Sequence, residues 1–450
     1  MTNDTIVAIA TAAGRAGVGI IRISGPQTSE VCLALLKKTP MPRHATRSHF
    51  YNDNHQVLDQ GIALYFLAPH SYTGEDVLEL QAHGGPVLLD MLLQSVLNIQ
   101  GTRLAKPGEF SERAFLNGKI DLTQAEAIAD IIDAASEQAV RSAARSLQGE
   151  FSRLIDLWRK QLIHLRASIE SAIDFPEEEI DVLDQPEIEQ GLSQLTDALQ
   201  GILSQAKQGS VLRDGIKVVI IGCPNVGKSS LLNALAGENL AIVNPRPGTT
   251  RDVLRQHIIV HGMPVFIVDT AGIHDAQDEI ELEGITRARE QIRQADRILY
   301  VIDCVQGLMP ADIQLLASLP DEIELSFVLN KCDATSQQPL ALEFNNKSAI
   351  RLSAKTGQGI DLLRRHLAAS MGLSVSDSES VFMARRRHVQ ALQLALQATL
   401  DGMAALREYR AAELLADDLR LAQKYLDEIT GEFTSDDLLG EIFSHFCIGK

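Results

Sequence analysis

The sequence has few cysteines, and none of them is spaced for metal binding. Five cysteines are scattered along the 450 residues, at positions 32, 223, 304, 332 and 447. Their odd number, the absence of a Cys-x-x-Cys element and the lack of a histidine pairing argue against a disulfide framework or a zinc site. We therefore expect reduced thiols and a cytoplasmic protein.

The sequence also lacks a long apolar run and an excess of positive charge. No run reaches the length that spans a bilayer, and the N-terminus enters a strand-like segment rather than a signal peptide. We expect no membrane association. Because the formal net charge is −18 at pH 7, the chain as a whole is not a polyelectrolyte binder of nucleic acid. Any RNA contact would need a local basic patch or a partner.

The pattern of the first 118 residues predicts a small α+β domain. Short segments that favour strands are separated by turn residues, and Pro86 opens an apolar helix that stops near Gly101. The predicted strands span residues 5–10, 19–24, 61–68 and 77–81. We assign residues 1–118 to this domain, and the total length leaves room for further domains.

Two helical stretches flank a βα repeat in the rest of the chain. Apolar residues recur at helical spacing in residues 119–212, from a Thr123-x-x-Glu126 capping box onward, and again in residues 374–450. Residues 213–373 alternate apolar strands with helices, which predicts a mostly parallel sheet. Because each helical half alone leaves apolar faces uncovered, we expect one all-α domain with an α/β domain inserted. The predicted strands are 216–222, 265–269, 298–303, 326–330 and 349–353.

Five motifs in a fixed order between residues 222 and 355 predict a guanine-nucleotide site of the P-loop class. The motifs other than Thr249-Thr250 stand at or just after the ends of predicted strands, which makes chance matches a poor explanation. The motifs are Gly222-Cys-Pro-Asn-Val-Gly-Lys-Ser229, Thr249-Thr250, Asp269-Thr-Ala-Gly272, Asn330-Lys-Cys-Asp333 and Ser353-Ala-Lys355. The predicted GTP contacts in or beside them are Asn225, Val226, Gly227, Lys228, Ser229, Ser230, Thr249, Thr250, Asp269, Thr270, Ala271, Gly272, Asn330, Lys331, Asp333, Ser353, Ala354 and Lys355.

The residue types in these motifs fit the chemistry of phosphate, magnesium and guanine. The glycine-rich loop lets backbone N–H groups surround phosphates at a helix N-terminus, and Lys228 would reach the β- and γ-phosphates. The hydroxyls of Ser229 and Thr250 would ligate Mg²⁺ directly, and Asp269 would hold its shell through water. Asp333 can accept both guanine N–H groups, a bidentate match that adenine lacks.

Two catalytic groups of other GTPases are missing from the motifs. The residue after Gly272 is Ile273, which cannot orient water as the glutamine of a Ras-like site does, and no arginine finger is identifiable. One of several downstream acids, among them Glu281, could position the water, or all could be solvated charges of a switch helix. Asn225 could hold a monovalent cation near the β–γ bridge, or could only stabilise its loop.

Charged residues near the start and a cysteine near the end leave further alternatives open. Arg22, Glu79 and Lys119 could bind an acidic, pterin-like ligand, or could be three solvated charges. Cys447 could be a nucleophile brought into a site, or a thiol in a frayed tail. The tail Cys-Ile-Gly-Lys has the length of a prenylation box but not its two aliphatic positions.

All 450 residues resemble the MnmE (TrmE) family of tRNA-modifying GTPases. The resemblance implies a folate-binding N-terminal domain, a helical domain and an inserted GTPase domain, with a homodimer formed through the N-terminal domains. The ends of the chain carry it more specifically than the GTP motifs, which many GTPases share. The segments concerned are 4–11, 22–25, 71–76, 83–85, 107–110, 113–119, 248–252 and 447–450.

The resemblance also implies a reaction and a partner. The family acts with a flavoprotein of the MnmG type, which uses FAD and NADH, in an expected heterotetramer. Together they attach an aminomethyl or carboxymethylaminomethyl group to C5 of the wobble uridine in tRNA, and 5-formyltetrahydrofolate or a related tetrahydrofolate supplies the one-carbon unit. The alternatives are a regulatory or ribosome-assembly GTPase, and a stand-alone folate-dependent methyltransferase gated by GTP.

Carried over residue by residue, the resemblance assigns further roles. Glu281 would position the attacking water, Lys228 would act on the phosphates and Cys447 would serve the tRNA chemistry. The implied folate site consists of Arg22, Glu79, Lys119 and Lys450. The implied K⁺ site consists of Asn225, Asn244, the backbone of Arg246, and Thr249, with Asn244 also counted among the GTP contacts. Two prolines and Arg246 make this loop stiffer and more basic than the family leads us to expect.

Overall fold

The computed structural model describes residues 4–174, 186–237, 255–260, 263–269, 292–293, 295–370, 382–431, 436–444, 446 and 449. Contacts divide the chain into two units. The first comprises Met1–Ala129, Leu147–Ala167 and Leu419–Lys450, and the second comprises Asp130–Ser146 and Ser168–Asp418. The domain boundaries given above stay a prediction. Among the described residues, none of the helices combines the length and the apolar character that crossing a membrane requires.

A six-stranded sheet with three helices forms the N-terminal region, which confirms the expected α+β class. Its strands are β1 Thr5–Ile9, β2 Ala16–Ser24, β3 Thr46–Tyr51, β4 Val57–Phe66, β5 Val77–Gly84 and β6 Thr102–Leu104. Its helices are α1 Thr28–Leu36, α2 Pro86–Leu97 and α3 Glu109–Leu116. The strand order is β3-β4-β5-β2-β1-β6, and only β1 and β6 pair in parallel. Strands β3 and β6 were not predicted.

Alternation along β2 places a charged pair on the sheet face away from the core. Ile21 and Ile23 are fully buried in a cluster that includes α1 and α2. Because side chains of a strand alternate between faces, Arg22 between them points to the other face. Glu79 of β5 pairs with Arg22 in the strand register, so the two side chains lie side by side there.

A seven-stranded sheet forms the centre of the second unit and confirms the predicted mostly parallel arrangement. Its strands are β7 Ile216–Ile221, β8 Arg255–Val260, β9 Met263–Asp269, β10 Arg297–Asp303, β11 Glu324–Asn330, β12 Leu340–Phe344 and β13 Lys347–Arg351. The order is β12-β13-β11-β10-β7-β9-β8, with antiparallel pairs only at the two edges. The carboxyl ends of β7, β10 and β11 therefore meet at one edge, where open α/β sheets bind ligands.

The remaining helices confirm the helical stretches on either side of this sheet. Before the sheet lie α4 Leu122–Asp133, α5 Glu137–Leu147, α6 Glu150–Asp174 and α7 Pro186–Asp214. Associated with the sheet are α8 Lys228–Ala236, α9 Pro310–Ala317 and α10 Ile360–Ser370. After it lie α11 Arg386–Tyr409, α12 Ala412–Thr430 and α13 Asp436–Ser444.

The predicted capping box at the start of α4 was wrong in register. The helix begins at Leu122, so Thr123 lies inside it, and reciprocal hydrogen bonds of a box join Asp121 and Gln124. The backbone N–H of Gln124 donates to Asp121 Oδ1 over 2.8 Å, and that of Asp121 donates to Gln124 Oε1 over 3.0 Å. Asp and Gln fill the two positions of a box as well as Thr and Glu do, so the sequence offered two overlapping candidates.

Candidate functional site

The glycine-rich loop turns sharply between β7 and α8. Gly222, Asn225 and Gly227 adopt positive φ angles of 154°, 63° and 97°. A Cβ atom on Gly222 would collide with the carbonyl of Val301, and one on Gly227 with the side-chain amide of Asn330. Both positions therefore require glycine. The turn brings the loop directly to the N-terminus of α8, where backbone N–H groups and the helix dipole favour an anion.

The Lys228 ammonium group lies within this loop. Its Nζ atom donates to the carbonyl oxygens of Gly222 and Cys223 over 2.8 Å and 2.9 Å. A positive charge is thus held beside the helix N-terminus, where phosphates would bind. Burial, assisted by a hydrogen bond to Asp312, raises the pKa of the Cys223 thiol to about 11, so the thiol stays neutral and adds no negative charge next to the phosphates.

The Asn330 side chain joins three of the five motifs. Its Nδ2 atom donates to the carbonyl of Val226 over 2.8 Å. Its Oδ1 atom accepts from the backbone N–H groups of Lys331 and Ala354 over 2.8 Å and 2.9 Å. Asn330 is 2% exposed. The structure therefore brings together the phosphate loop and both predicted base motifs through one buried amide.

Asp303 belongs to the same cluster and was not predicted. Lys331 Nζ donates to Asp303 Oδ2 over 2.7 Å and to the carbonyl of Asn225 over 2.8 Å. Burial opposes the charge of Asp303, but the hydrogen bonds from Lys331 and the Val305 N–H hold its pKa below its ordinary value. Asp303 ends β10 exactly opposite Asn330 in register. The sequence did contain a signal for Asp303, because an acidic residue ends an apolar strand there.

Asp333 lies at the rim of this cluster, where a base could reach it. It is exposed and falls in a short 3₁₀ turn, Cys332–Thr335, that follows the left-handed residue Lys331. The neighbouring loop is anchored by Ser353, which is fully buried and whose hydroxyl accepts from the Thr356 N–H over 3.3 Å. The base-binding motifs are thus held by buried hydrogen bonds at Asn330 and Ser353, whereas Asp333 is exposed to solvent.

Several predicted site residues fall outside the described part of the chain. The backbone of Asp269 ends β9, but its side chain is not described. The predicted residues that lie outside the description are Asn244, Arg246, Thr249, Thr250, Thr270, Ala271, Gly272, Glu281, Cys447 and Lys450.

Replacing Asn330 with alanine is expected to weaken guanine-nucleotide binding about a hundredfold. Three hydrogen bonds are lost from a buried amide, each contributing about 0.5–1.5 kcal/mol, and each 1.4 kcal/mol is tenfold in affinity. The measurement is titration with a fluorescent GDP analogue. Asn233→Ala, at an exposed position on α8, is the control and should bind within about twofold of wild type. Unchanged affinity in Asn330→Ala would contradict the structural role of this amide.

A half-buried cluster of side chains around Arg22, called the arginine pocket below, lies in the N-terminal region. Arg22 Nε donates to Glu79 Oε1 over 2.8 Å, with side chains that are 23% and 17% exposed. The guanidinium carbon lies 5.6 Å from the ring centre of Tyr72 and 5.8 Å from that of Phe110, within cation–π range. The interpretation of Arg22 and Glu79 as solvated charges was therefore wrong.

The C-terminal tail reaches this pocket through Gly449. Its carbonyl accepts from Arg22 Nη1 over 3.3 Å, and its φ angle is 97°. A Cβ atom at Gly449 would lie 2.5 Å from the carbonyl oxygen of Ile9, so only glycine fits here. Lys119 is exposed and donates to the carbonyl of Pro69 over 2.9 Å, and no hydrogen bond recorded in the described residues joins it to Arg22 or Glu79.

A buried ion network around Arg113 holds the walls of the pocket. Arg113 is 4% exposed, and its guanidinium donates to Asp4 over 2.8 Å and to Glu75 and Glu109 over 3.1 Å. Arg103 also binds both Asp4 and Glu109. Glu109 directly precedes Phe110, and Glu75 shares a loop with Tyr72. The network therefore positions the two rings that flank Arg22.

These features define a P-loop protein that binds guanine nucleotides. They are the phosphate loop before α8, the hydrogen bonds of Asn330 to the base motifs, and the exposed Asp333. Comparison with known families places it further. Residues 5–119 match the family described as GTP-binding protein TrmE N-terminus, and residues 122–447 match the MnmE helical domain. The chain belongs to the MnmE family.

Curated relatives agree over the whole chain. The tRNA modification GTPase MnmE of Vibrio cholerae is 56% identical over 454 residues, and that of Pectobacterium atrosepticum is 57% identical over 455 residues. In both cases the match covers 100% of this chain and 100% of the relative. The same architecture, with an α+β N-terminal domain, a helical domain and an inserted α/β GTPase domain, therefore applies to this chain.

Solved structures show local likeness only. Aquifex aeolicus Era bound to GDP.AlF4- is 24% identical, with coverage of 41% of this chain and 66% of that chain and a TM-score of 0.29. The G domain of the T. maritima FeoB iron transporter is 22% identical, with coverage of 35% and 99% and a TM-score of 0.27. Superpositions this weak carry no structural argument.

Proposed function

We propose that this GTPase modifies the tRNA wobble uridine together with a flavoprotein partner. The pair would install an aminomethyl or carboxymethylaminomethyl group at C5, and a tetrahydrofolate such as 5-formyltetrahydrofolate would supply the one-carbon unit. The observation that carries the proposal is that one chain of the MnmE family contains two sites whose side chains are held in place by hydrogen bonds and ion pairs. One is the nucleotide site around Asn330, and the other is the arginine pocket around Arg22.

The described residues fit a bound guanine nucleotide. Lys228, already held at the N-terminus of α8, would bind the β- and γ-phosphates, and Ser229 beside it would contribute its hydroxyl to Mg²⁺ together with Thr250. When bound, Mg²⁺ neutralises charge that develops on the phosphates. Asn330 and Lys331 hold the base motifs in register with the phosphate loop, and Asp333 would accept the two guanine N–H groups.

Two further roles in hydrolysis are proposed. The K⁺ ligands would be Asn225, Asn244, the Arg246 backbone and Thr249, with K⁺ compensating for the absent arginine finger. In that case replacing K⁺ with Na⁺ should slow hydrolysis, and equal rates would remove the cation from the proposal. Glu281 would orient the attacking water.

Glu281→Ala is expected to abolish GTP hydrolysis and to leave nucleotide affinity within about twofold of wild type. A residue that only orients water acts in the transition state, so its loss lowers kcat without weakening ground-state binding. Single-turnover hydrolysis and nucleotide titration measure the two quantities. Glu343→Ala, on an edge strand of the same domain, is the control. A parallel loss of binding would instead give Glu281 a role in folding.

The arginine pocket fits a folate in its chemistry. Tyr72, which is half-buried beside Arg22, suits a flat heteroaromatic ligand. Phe110 is fully buried and supports the guanidinium from the protein side. Arg22 donates and Glu79 accepts hydrogen bonds, which suits a pterin that carries both acceptors and donors. Lys119 and Lys450 would bind the acidic part of the ligand, and Cys447 would act in the tRNA chemistry. The proposed assembly is a homodimer, joined by the partner into a heterotetramer that binds tRNA.

Mass spectrometry of tRNA nucleosides tests the proposal. Cells that lack the protein should lose the wobble-uridine modification, and a plasmid with the wild-type gene should restore it. Restoration should fail with Arg22→Met and succeed with Arg47→Met, which alters an exposed arginine of β3 outside the pocket. Unchanged modification in the deletion strain would favour the rival interpretation, a regulatory or ribosome-assembly GTPase without modification chemistry.

A further inference from the structure

The chain enters and leaves the nucleotide-binding region at two neighbouring points, and one carboxylate binds both. Asp130, near the end of α4, is 7% exposed. Its Oδ1 atom accepts from Arg213 Nε over 2.8 Å and from Arg385 Nη2 over 2.9 Å. Arg213 lies in the last turn of α7, just before β7. Arg385 immediately precedes α11, where the helical sequence resumes.

The two crossing segments are packed at backbone distance. A Cβ atom on Gly209 of α7 would collide with the carbonyl of Phe382 in the returning segment. Gly215, between α7 and β7, has a φ angle of 66°, and a Cβ atom there would lie 2.5 Å from the carbonyl of Pro264. Since only glycine fits at either position, the end of α7 packs at backbone distance against residues 382–384 and against β9.

The returning segment is also bound to α5. The Met383 N–H donates to Ser146 Oγ over 2.9 Å, and the same hydroxyl lies 3.1 Å from the Met383 carbonyl. The Met383 side chain is buried in a cluster with Ala139 of α5, Leu212 of α7 and Met263 at the start of β9. Two helices that precede the nucleotide-binding region, the segment that follows it and its β8–β9 hairpin thus share one small core.

The β8–β9 hairpin connects this core to the predicted nucleotide-sensing segments. Its turn end packs through Met263. Its other end leads into the Thr249-Thr250 motif, which precedes β8, and into the Asp269-Thr-Ala-Gly272 motif, which begins at the last residue of β9. A cavity of about 190 Å³ lies between Asp130, Leu212 and the hairpin residues Ile258 and Pro264. At this point the hairpin is therefore not in continuous contact with the entering segment.

We propose that Asp130 is a positioning residue that transmits movement of the β8–β9 hairpin to the helices. By holding Arg213 and Arg385 on one buried carboxylate, it makes the entering and returning segments move together with α4. A shift of the hairpin during the GTP cycle then moves the helices as well. Without the shared carboxylate, the entering and returning segments could move separately and the helices would stay in place. The predicted effect on tRNA modification rests on the proposed function. The contact of Asp130 with the two arginines does not depend on it.

The test compares Asp130→Asn with Asp133→Asn in the full-length protein. Asp133 lies on the same helix and lines the same cavity, but is exposed. For Asp130→Asn we expect GTP affinity and basal hydrolysis within about twofold of wild type, and tRNA modification with the flavoprotein partner reduced about tenfold. Amide hydrogen exchange at Met383 should be faster in Asp130→Asn and unchanged in Asp133→Asn.

Several outcomes separate the inference from its alternatives. Wild-type modification rates in Asp130→Asn would overturn it, and so would an equal loss of basal hydrolysis, which indicates a general folding role. Arg213 also pairs with Asp214. Combining Asp130→Asn with Arg213→Gln should therefore add no more than the loss of that second pair, and fully additive losses would contradict a shared contact. If Asp130→Asn does not fold, Arg385→Gln removes one partner of Asp130. It should likewise reduce tRNA modification and leave basal hydrolysis unchanged. Absence of modification by the wild type would instead refute the proposed function.

Discussion

Asp333→Asn is expected to lower GTP affinity on the order of a thousandfold and to create affinity for xanthosine triphosphate. The carboxylate would accept two guanine N–H groups, and hydrogen bonds to a charged group contribute about 1.5–3 kcal/mol each. An asparagine amide has one acceptor and one donor face. It therefore repels the guanine amino group but complements xanthine, which carries a carbonyl oxygen at that position.

Competition titration with both nucleotides measures this exchange of specificity. Asp321→Asn removes another exposed carboxylate, just before β11, and should change neither affinity. The structure makes the exchange plausible because Asp333 is exposed at the rim while Asn330 and Ser353 fix the motifs from inside. Loss of GTP binding with no gain for the xanthine nucleotide would show that Asp333 supports the loop rather than contacting the base.

Arg113→Met is expected to destabilise the N-terminal region by about 3–5 kcal/mol. Methionine fills the space but removes the central cation, so Glu75 loses its arginine partner and Glu109 keeps only Arg103. Hydrogen exchange of β1 and β2 amides in the full-length chain measures the opening free energy locally. The control Arg141→Met breaks a pair with Glu137 whose side chains are 74% and 80% exposed, and should change stability by less than about 0.5 kcal/mol.

The same network predicts a dependence on acid. Burial raises the pKa of Asp4 and Glu109, but hydrogen bonds from Arg103 and Arg113 outweigh it and hold both pKa values below their ordinary 3.8 and 4.5. Carboxyls with depressed folded pKa values stabilise the fold above their unfolded values, and this contribution is lost as the pH falls through the folded values. The difference between wild type and Arg113→Met should therefore be full near neutral pH and shrink below about pH 4. A constant difference would rule out an ionic origin.

The sequence predicted the buried strands of both sheets and missed strands at their edges. Strands such as β7 are apolar except for Lys217 near its start, because helices cover both faces of a parallel sheet. A run of this kind can be recognised from the sequence. Strands β3, β8 and β12 are edge strands, where only one face needs apolar residues and where charges are favoured. Their sequences, such as Thr46-Arg-Ser-His-Phe-Tyr51, resemble loops.

The site shows a similar division between local and long-range information. The position of the phosphate loop between a strand and a helix was predicted because its signal is contained in one short segment. Asp303, Tyr72 and Phe110 were missed because they join their sites only through strand register and ion pairs between distant segments. Arg22 and Glu79 were recognised as candidates, but their pairing depends on the β2–β5 register, which the sequence alone did not decide. Predictions in the segments outside the description, Glu281 above all, stay predictions.

The hydrogen bonds from Asn330 and Lys331 to the phosphate loop have a kinetic consequence. Because Val226, Asn225 and Ala354 are already joined through these two side chains, the base motifs and the phosphate loop need no mutual rearrangement before a nucleotide arrives. Preorganisation of this kind lowers the entropy lost on association. Guanine and adenine nucleotides should then associate at similar rates, and the discrimination between them should appear almost wholly in their dissociation rates.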